Sequence, residues 1–384
     1  MRRYLNPFML LFTTFVFSAY AYARYQLSPN LLVDVLLFVP FLAVWLTPIL
    51  FWMGEKSENR PWAHSFQTFS YLSMGWLNFI FVTLIPLNII TWLLFATDKK
   101  ELALAFDRWT MPLTFIFGTL ALFVGFYRAK SGPRIREVAV PLKAITVQSS
   151  LNNLRIVQIS DLHVGPTIRR PYVEKVVTKS NALLPDLVVL TGDIVDGSIK
   201  DLKFHAEPLA GLKARLGVFL ILGNHDYYSG APAWVAEFKT MGFTVLLNEH
   251  SRLNKDGEEF MLAGVLDPAV QGFSPEQKPD PALARGKPEL SHDLLRILLA
   301  HNPKLAAEGA RAGFHLQISG HTHAGQFIPW TWVTKLVHRP HYAGLSKEGD
   351  MTVYVSAGTG SWGPPLRLGT SPELTLLTLK PAVR

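Results

Sequence analysis

Five short clusters in this sequence carry groups that can bind metal. Asp161 and His163 lie in SDLHVG, Asp193 in TGDIVDG, and Asn224, His225 and Asp226 in LGNHDYY. His301 lies in AHNP, and His321 and His323 lie in SGHTHAGQ. Each cluster alone is weak, because a Gly-Asp is usually a turn and a lone histidine is usually a hydrogen-bonded structural residue. As a set they supply three oxygen donors, Asp161, Asp193 and Asn224, and four imidazoles. A pair of first-row metal ions takes such a mixture. Thiolate ligation and disulfides are excluded, because the chain has no cysteine.

Such groups act together only if the fold converges them. Each cluster follows an apolar stretch rich in β-branched residues, which reads as a buried strand. The five stretches are 155–160, 187–191, 217–222, 297–300 and 315–319. Further strands are expected at 138–146, 243–247, 260–264, 352–356 and 373–379. Helices are expected at 171–184, 233–241 and 303–311, and a surface loop at 267–290. Polar groups just beyond strand C-termini gather on one edge of a sheet, where α/β proteins bind ligands. Gly192, Gly223 and Gly320 are expected to let the backbone turn sharply there.

The series DLH, GD, GNHD, AHNP and GHTH resembles the calcineurin-like metallophosphoesterase superfamily over about residues 152–380. GHTHAGQ and the closing stretch from YVSAGTGSWGPP onward resemble its bacterial membrane-associated branch. The resemblance implies two divalent ions, Mn or an Fe/Zn pair. One would be held by Asp161, His163, Asp193 and His323, and the other by Asp193, Asn224, His301 and His321. Asp193 would bridge them, and His225 would contact substrate. Chemistry supports these roles. A water bridging two cations loses a proton near neutral pH and attacks phosphorus, while both ions withdraw charge from the phosphoryl oxygens. The leaving oxygen needs a proton, for which His225 is the candidate, with Asp226 as its orienter. Asn224 adds a neutral oxygen and so limits the negative charge facing a phosphate.

The chain has 384 residues and a formal net charge of +8; 49% of its residues are hydrophobic and 17% charged. The average hides two unlike parts. The first 127 residues hold 14 charged side chains, and the remaining 257 hold 52. Four apolar runs, at 7–23, 31–53, 71–96 and 109–127, approach the roughly 20 residues that cross a bilayer. Pro40, Pro48 and Pro86 are expected to kink them. Asp34 is expected at an interface near headgroups. Residues 1–23 also fit a signal peptide, with Arg2, Arg3 and an Ala21-Tyr22-Ala23 site. With the N-terminus inside, Arg2, Arg3, Lys56, Arg60, Arg128, Lys130, Arg134 and Arg136 fall on the inner side. Arg24, Lys99, Lys100 and Arg108 fall outside. The fold expected is α/β, in three parts. A four-helix transmembrane region covers 1–130, and a linker with lead-in strands covers 131–151. A metallophosphoesterase β-sandwich flanked by helices covers 152–384. The catalytic domain is expected at the cytoplasmic face of a bacterial inner membrane.

Among the lesser candidates, Arg367 could grip phosphate in two-pronged fashion or form a structural salt bridge. Trp330, Trp332 and Trp362 could line a pocket, rest on a membrane or simply pack. Arg169 and Arg170 could reach substrate or lie solvated at a helix start. His205, His250, His292, His315, His338 and His341 are read as non-ligands. The basic run 128–136 is read as touching anionic lipid. Nucleic acid is not an expected partner, because no basic patch with interleaved aromatics is present. Two functions remain open. One is a phosphoesterase acting on a phosphoester or pyrophosphate, with a lipid-linked substrate such as UDP-2,3-diacylglucosamine as one candidate. The other is a membrane sensor or transporter regulated by its phosphoesterase domain.

Overall fold

A computed structural model describes residues 7–28, 30–48, 62–286 and 294–382. The chain divides into two compact units. One comprises Met1–Tyr127 with Gly363–Leu366, and the other Arg128–Trp362 with Arg367–Arg384.

The first unit is helical: α1 Pro7–Leu27, α2 Leu31–Thr47, α3 Ala63–Ala96 and α4 Lys100–Lys130. Asn30 caps α2, accepting from the amide of Val33. Small clusters such as Leu27, Leu37, Ile80 and Leu84 join the helices, while Leu11, Phe15, Leu31, Trp92 and Phe123 face outward. Four helices therefore occupy the places of the four apolar runs. Only Ser65–Ala96 and Lys100–Lys130, of 32 and 31 residues, are long and apolar enough to cross a membrane among the described residues. Four spans are thus a finer reading than the helices support. Met53 and the basic residues Arg2, Arg3, Lys56 and Arg60 lie outside the described residues. Helices α2 and α3 run on through Pro40 and Pro86, and Pro48 caps the end of α2 instead of kinking it. Asp34 is ion-paired to Arg24 at 3.1 Å and accepts from the Tyr20 hydroxyl at 2.8 Å, so its charge is met by protein groups.

The second unit holds two six-stranded sheets, ordered β1-β12-β2-β3-β4-β5 and β10-β11-β9-β8-β7-β6. The first six strands are β1 Arg134–Leu142, β2 Arg155–Ile159, β3 Leu187–Thr191, β4 Val218–Ile221, β5 Thr244–Val245 and β6 Glu249–Lys255. The others are β7 Glu258–Gly264, β8 Leu295–Leu299, β9 Leu316–Ser319, β10 Gly344–Glu348, β11 Met351–Val355 and β12 Glu373–Pro381. Strands β2 to β5 run parallel, as do β7, β8, β9 and β11. Alternate residues of one strand point to opposite faces. Ile156, Val189 and Phe219 therefore meet Phe260, Ile297 and Ile318 of the second sheet in a central core. Val157, Val188 and Leu220 face outward to helices α5 Arg170–Ala182, α6 Ile199–Ala206 and α8 Ala231–Thr240. Met261, Leu298 and Val353 face α9 Pro281–Arg285 and α10 Ala306–Arg311. The result is the expected helix-flanked sandwich. Within 267–290, α9 breaks the expected loop. The lead-in segment proves to be β1, an edge strand paired in parallel with β12. Two short helices complete the unit: α7 Asn224–Tyr228 and α11 Trp330–Val337.

Candidate metal centre

The parallel strands place the clusters on one edge. Asp161 and His163 follow β2, Asp193 follows β3, Asn224 and His225 open α7 after β4, His301 follows β8, and His321 and His323 follow β9. Beyond the strands the loops stay hydrogen-bonded: Asp161 N–H donates to Gly192 O, and His163 N–H to Asp193 O, each at 3.0 Å. The amide of His321 donates to Asp161 Oδ1 at 2.9 Å. Asp161, His163, Asp193, His321 and His323 all adopt positive φ, between 49° and 72°.

Three overlapping groups of donor atoms result: Asp161, His163 and His323; His163, Asp193 and His225; Asp193, His301 and His321. His163 Nε2 and His323 Nε2 lie 3.0 Å apart, and His323 Nε2 is 3.4 Å from Asp161 Oδ1. Asp193 Oδ2 lies between the two ends of the site, 3.8 Å from His163 Nε2 and 3.2 Å from His301 Nε2. Asn224 Oδ1 is 3.1 Å from His321 Nδ1. Donor atoms 3.0–3.8 Å apart are close enough to share an ion. The tautomers suit it too. His301 Nδ1 lies 2.8 Å from the Thr191 carbonyl, to which it can only donate, leaving Nε2 its lone pair. That Nε2 is buried and faces Asp193 Oδ2. The seven side chains therefore fit two divalent ions.

Burial and charge set the proton affinities. Burial would lower the pKa of His163, but the charge and hydrogen bond of Asp196 leave it raised to about 9. Burial would raise Asp193, yet His301 and His163 hold it below the usual carboxylate range. Burial lifts Asp161. Burial and the neighbouring His301 push His321 down to about 3. Cations bound here would compete with these protons for the same lone pairs.

Two sequence readings need correction. Asp226 does not orient His225. It is fully buried, and its carboxylate accepts backbone N–H bonds from Asp193, Ile194, Val195 and Gly223 at 2.8–3.1 Å. It thereby clamps the loop that carries Asp193, and burial together with the Asp193 charge raises its pKa to about 7. The orienter is Asp196, whose Oδ1 lies 2.8 Å from His225 Nδ1 and 2.9 Å from His163 Nδ1. The second acid of TGDIVDG was the available signal for it. Asp196→Asn keeps the shape but loses the charge that fixes both imidazoles. The expected result is a fall of about 10–100-fold in kcat/KM. Full activity would remove Asp196 from the machinery.

Arg367 is the second correction. Its side chain is completely buried and donates to the carbonyls of His323, Ala357, Gly358 and Gly360 at 2.6–3.3 Å. No donor is left to grip a phosphate. It braces the backbone of His323 instead.

The glycines act mainly through space. Of Gly192, Gly223 and Gly320, only Gly192 has positive φ. A methyl group on Gly223 would overlap Asp193 Oδ1, and one on Gly320 would overlap Ser160 Oγ and Asp161 Oδ2.

His225 is only partly buried and forms the open side of the site, edge-on to Trp362 at 5.6 Å and Tyr228 at 5.5 Å. Phe273 lies 6.1 Å from Tyr228. Trp362, Tyr228 and Phe273 are each more than half exposed, giving the mouth an aromatic rim. Trp330 and Trp332 lie on α11. Arg170 pairs with Glu174 and Glu207. His250 and His341 bond to Ala284 and to Ser346 and Glu348. His338 lies edge-on to His321, at 6.0 Å, and His292 lies outside the described residues.

Residues 154–325 match the family of calcineurin-like phosphoesterases. The chain is 34% identical to a zebrafish transmembrane protein with metallophosphoesterase domain, over 72% of this chain and 63% of the relative. It is 30% identical to an uncharacterised metallophosphoesterase of Campylobacter jejuni, over 82% of this chain and 84% of the relative. The chain thus spans about three fifths of the length of the animal transmembrane relative. A solved calcineurin-like phosphoesterase of Bacillus subtilis is 14% identical over 60% of this chain and 82% of its own, with a TM-score of 0.34. The strand-end ligands, the paired sheets and the extent of the Campylobacter match agree, and the chain belongs to the calcineurin-like phosphoesterase family.

Proposed function

We propose that this chain is a membrane-anchored, dinuclear-metal phosphoesterase. The observation that carries the reading is Asp193 Oδ2, placed within 3.2–3.8 Å of histidines from both ends of the site. When bound, two divalent ions supply an activated water and draw charge from the phosphoryl oxygens. Asp161, His163, Asp193 and His323 would hold one, and Asp193, Asn224, His301 and His321 the other. Mn or an Fe/Zn pair suits these mixed nitrogen and oxygen donors. His225, held by Asp196, donates a hydrogen bond or proton to the leaving oxygen.

The substrate is an amphiphilic phosphoester or pyrophosphate. The aromatic rim beside His225 offers a flat, apolar surface to a base or an acyl-bearing leaving group, and two helices are long and apolar enough to hold the chain at a bilayer. Relatives named as transmembrane proteins support the anchoring. Multiple spans and a cytoplasmic catalytic domain at a bacterial inner membrane complete the reading, the latter from the cluster Arg128, Lys130, Arg134 and Arg136.

The test is a product screen with the full chain and Mn. It compares a soluble phosphodiester, nucleotides, phospholipids and UDP-2,3-diacylglucosamine. Turnover of a lipid-bearing substrate above the soluble diester is expected; equal or better turnover of soluble nucleotides would overturn the amphiphilic substrate. Chelation should abolish hydrolysis of every substrate, and Mn should restore it. Undiminished turnover by protein stripped of metal would remove the dinuclear mechanism.

A further inference from the structure

Helix α11 begins five residues after the backbone turn at Gly325 and reverses the usual pattern of a packed helix. Its sequence is WTWVTKLV, and none of its residues is buried. Trp332, Val333, Leu336 and Val337 are 67%, 44%, 75% and 56% exposed. At about 100° per residue these four fall within an arc of roughly 140°. Thr331 and Thr334, on the other side, are the half-buried residues. A helix that stabilises a globular core turns its apolar stripe inward. This one turns it out.

The charges around it say what covers that stripe. Residues 324–347 contain no Asp or Glu, but include Lys335, Arg339 and Lys347. A cavity of about 470 Å³ is lined by Ala324 and Ala343, which bracket α11 in sequence, and by Arg128, Arg134 and Arg136. Arg136 is paired with Glu373 at 3.1 Å. Arg128 and Arg134 are exposed and form no ion pair among the described residues. Tryptophan and aliphatic residues on an outward-facing helix, with cations lining the cavity beside its flanks, are the composition of a bilayer interface. A second copy would bring like charges together.

We propose that α11 rests in the interfacial layer of an anionic bilayer, with Trp332, Val333, Leu336 and Val337 at the boundary between headgroups and acyl chains and Arg128 and Arg134 on headgroup phosphates. The contact is separate from any membrane-crossing helix and from the identity of the substrate.

The absence of cysteine makes a direct test simple. Leu336→Cys in the full chain carries a nitroxide, with Leu184→Cys, at an 81% exposed position, as the aqueous control. Both are placed in nanodiscs of phosphatidylcholine with phosphatidylglycerol. Relative to the control, the label at 336 should collide more with oxygen and less with a water-soluble nickel chelate, by about threefold in their ratio. The same ratio at both positions would overturn the proposal. Shielding of 336 from both reagents would mark a protein partner and overturn it too. In Arg128→Gln/Arg134→Gln the label should sit shallower; unchanged depth would overturn the role of the two arginines.

Discussion

Asp193→Ala should reduce hydrolysis of an artificial phosphodiester by about a thousandfold or more, equivalent to roughly 4 kcal/mol of transition-state stabilisation. The reason lies in its two oxygens. Oδ2 faces the imidazoles at both ends of the site, and Oδ1 accepts the His225 amide at 2.8 Å. Removing the carboxylate removes the group proposed to bridge the two ions and releases the loop that starts α7. Metal content should fall from about two equivalents per chain to one or fewer. Asp193→Asn separates the effects, because the amide can still accept the backbone bond but carries no charge. It should keep the loop in place and still lose most activity. Full activity of Asp193→Ala with unchanged metal content would show that the centre lies elsewhere.

Arg367→Met should cost stability first and activity second. Five donated hydrogen bonds end on four backbone carbonyls in a fully buried setting. Methionine fills much of the volume but leaves those carbonyls unmet. A loss on the order of 3–5 kcal/mol is expected, which for a domain of this size lowers Tm by about 10 °C or more. Arg367→Lys retains the charge and should fall between the two. The readout that decides the role is thermal unfolding beside KM. An unchanged Tm with a raised KM would return Arg367 to the substrate.

The seven metal-ligand candidates were legible in the sequence because each sits where an apolar strand stops. Strands such as LVVLT and VFLI are buried on both faces and read as continuous apolar runs. The edge strands β6 and β10 were not legible. They are mostly polar, and nearly all their residues are exposed or half-buried, which a hydrophobic pattern does not register; only their hairpin partners, β7 and β11, make them strands. Helix α11 was missed for the opposite reason, because its apolar face points away from the core. The roles of Asp196, Asp226 and Arg367 depend on which way a side chain points from a loop. Asp226 follows His225 in sequence, but its carboxylate points inward while His225 faces the opening. Spacing along the chain carries no such direction.

Five candidate ligands in left-handed backbone have a bearing on how any mutagenesis of this centre is read. L-residues enter that region at a cost, and Asp and His are among those that tolerate it best. Replacing His163 or His323 by valine or leucine would therefore deform the loop as well as delete a donor, and lost activity would not separate the two. Glycine adopts this conformation freely. In His163→Gly the loop should keep its path and leave an imidazole-shaped gap beside Asp196. Free imidazole added to that variant can act as a diffusible ligand, so chemical rescue becomes the assay that tells coordination from folding.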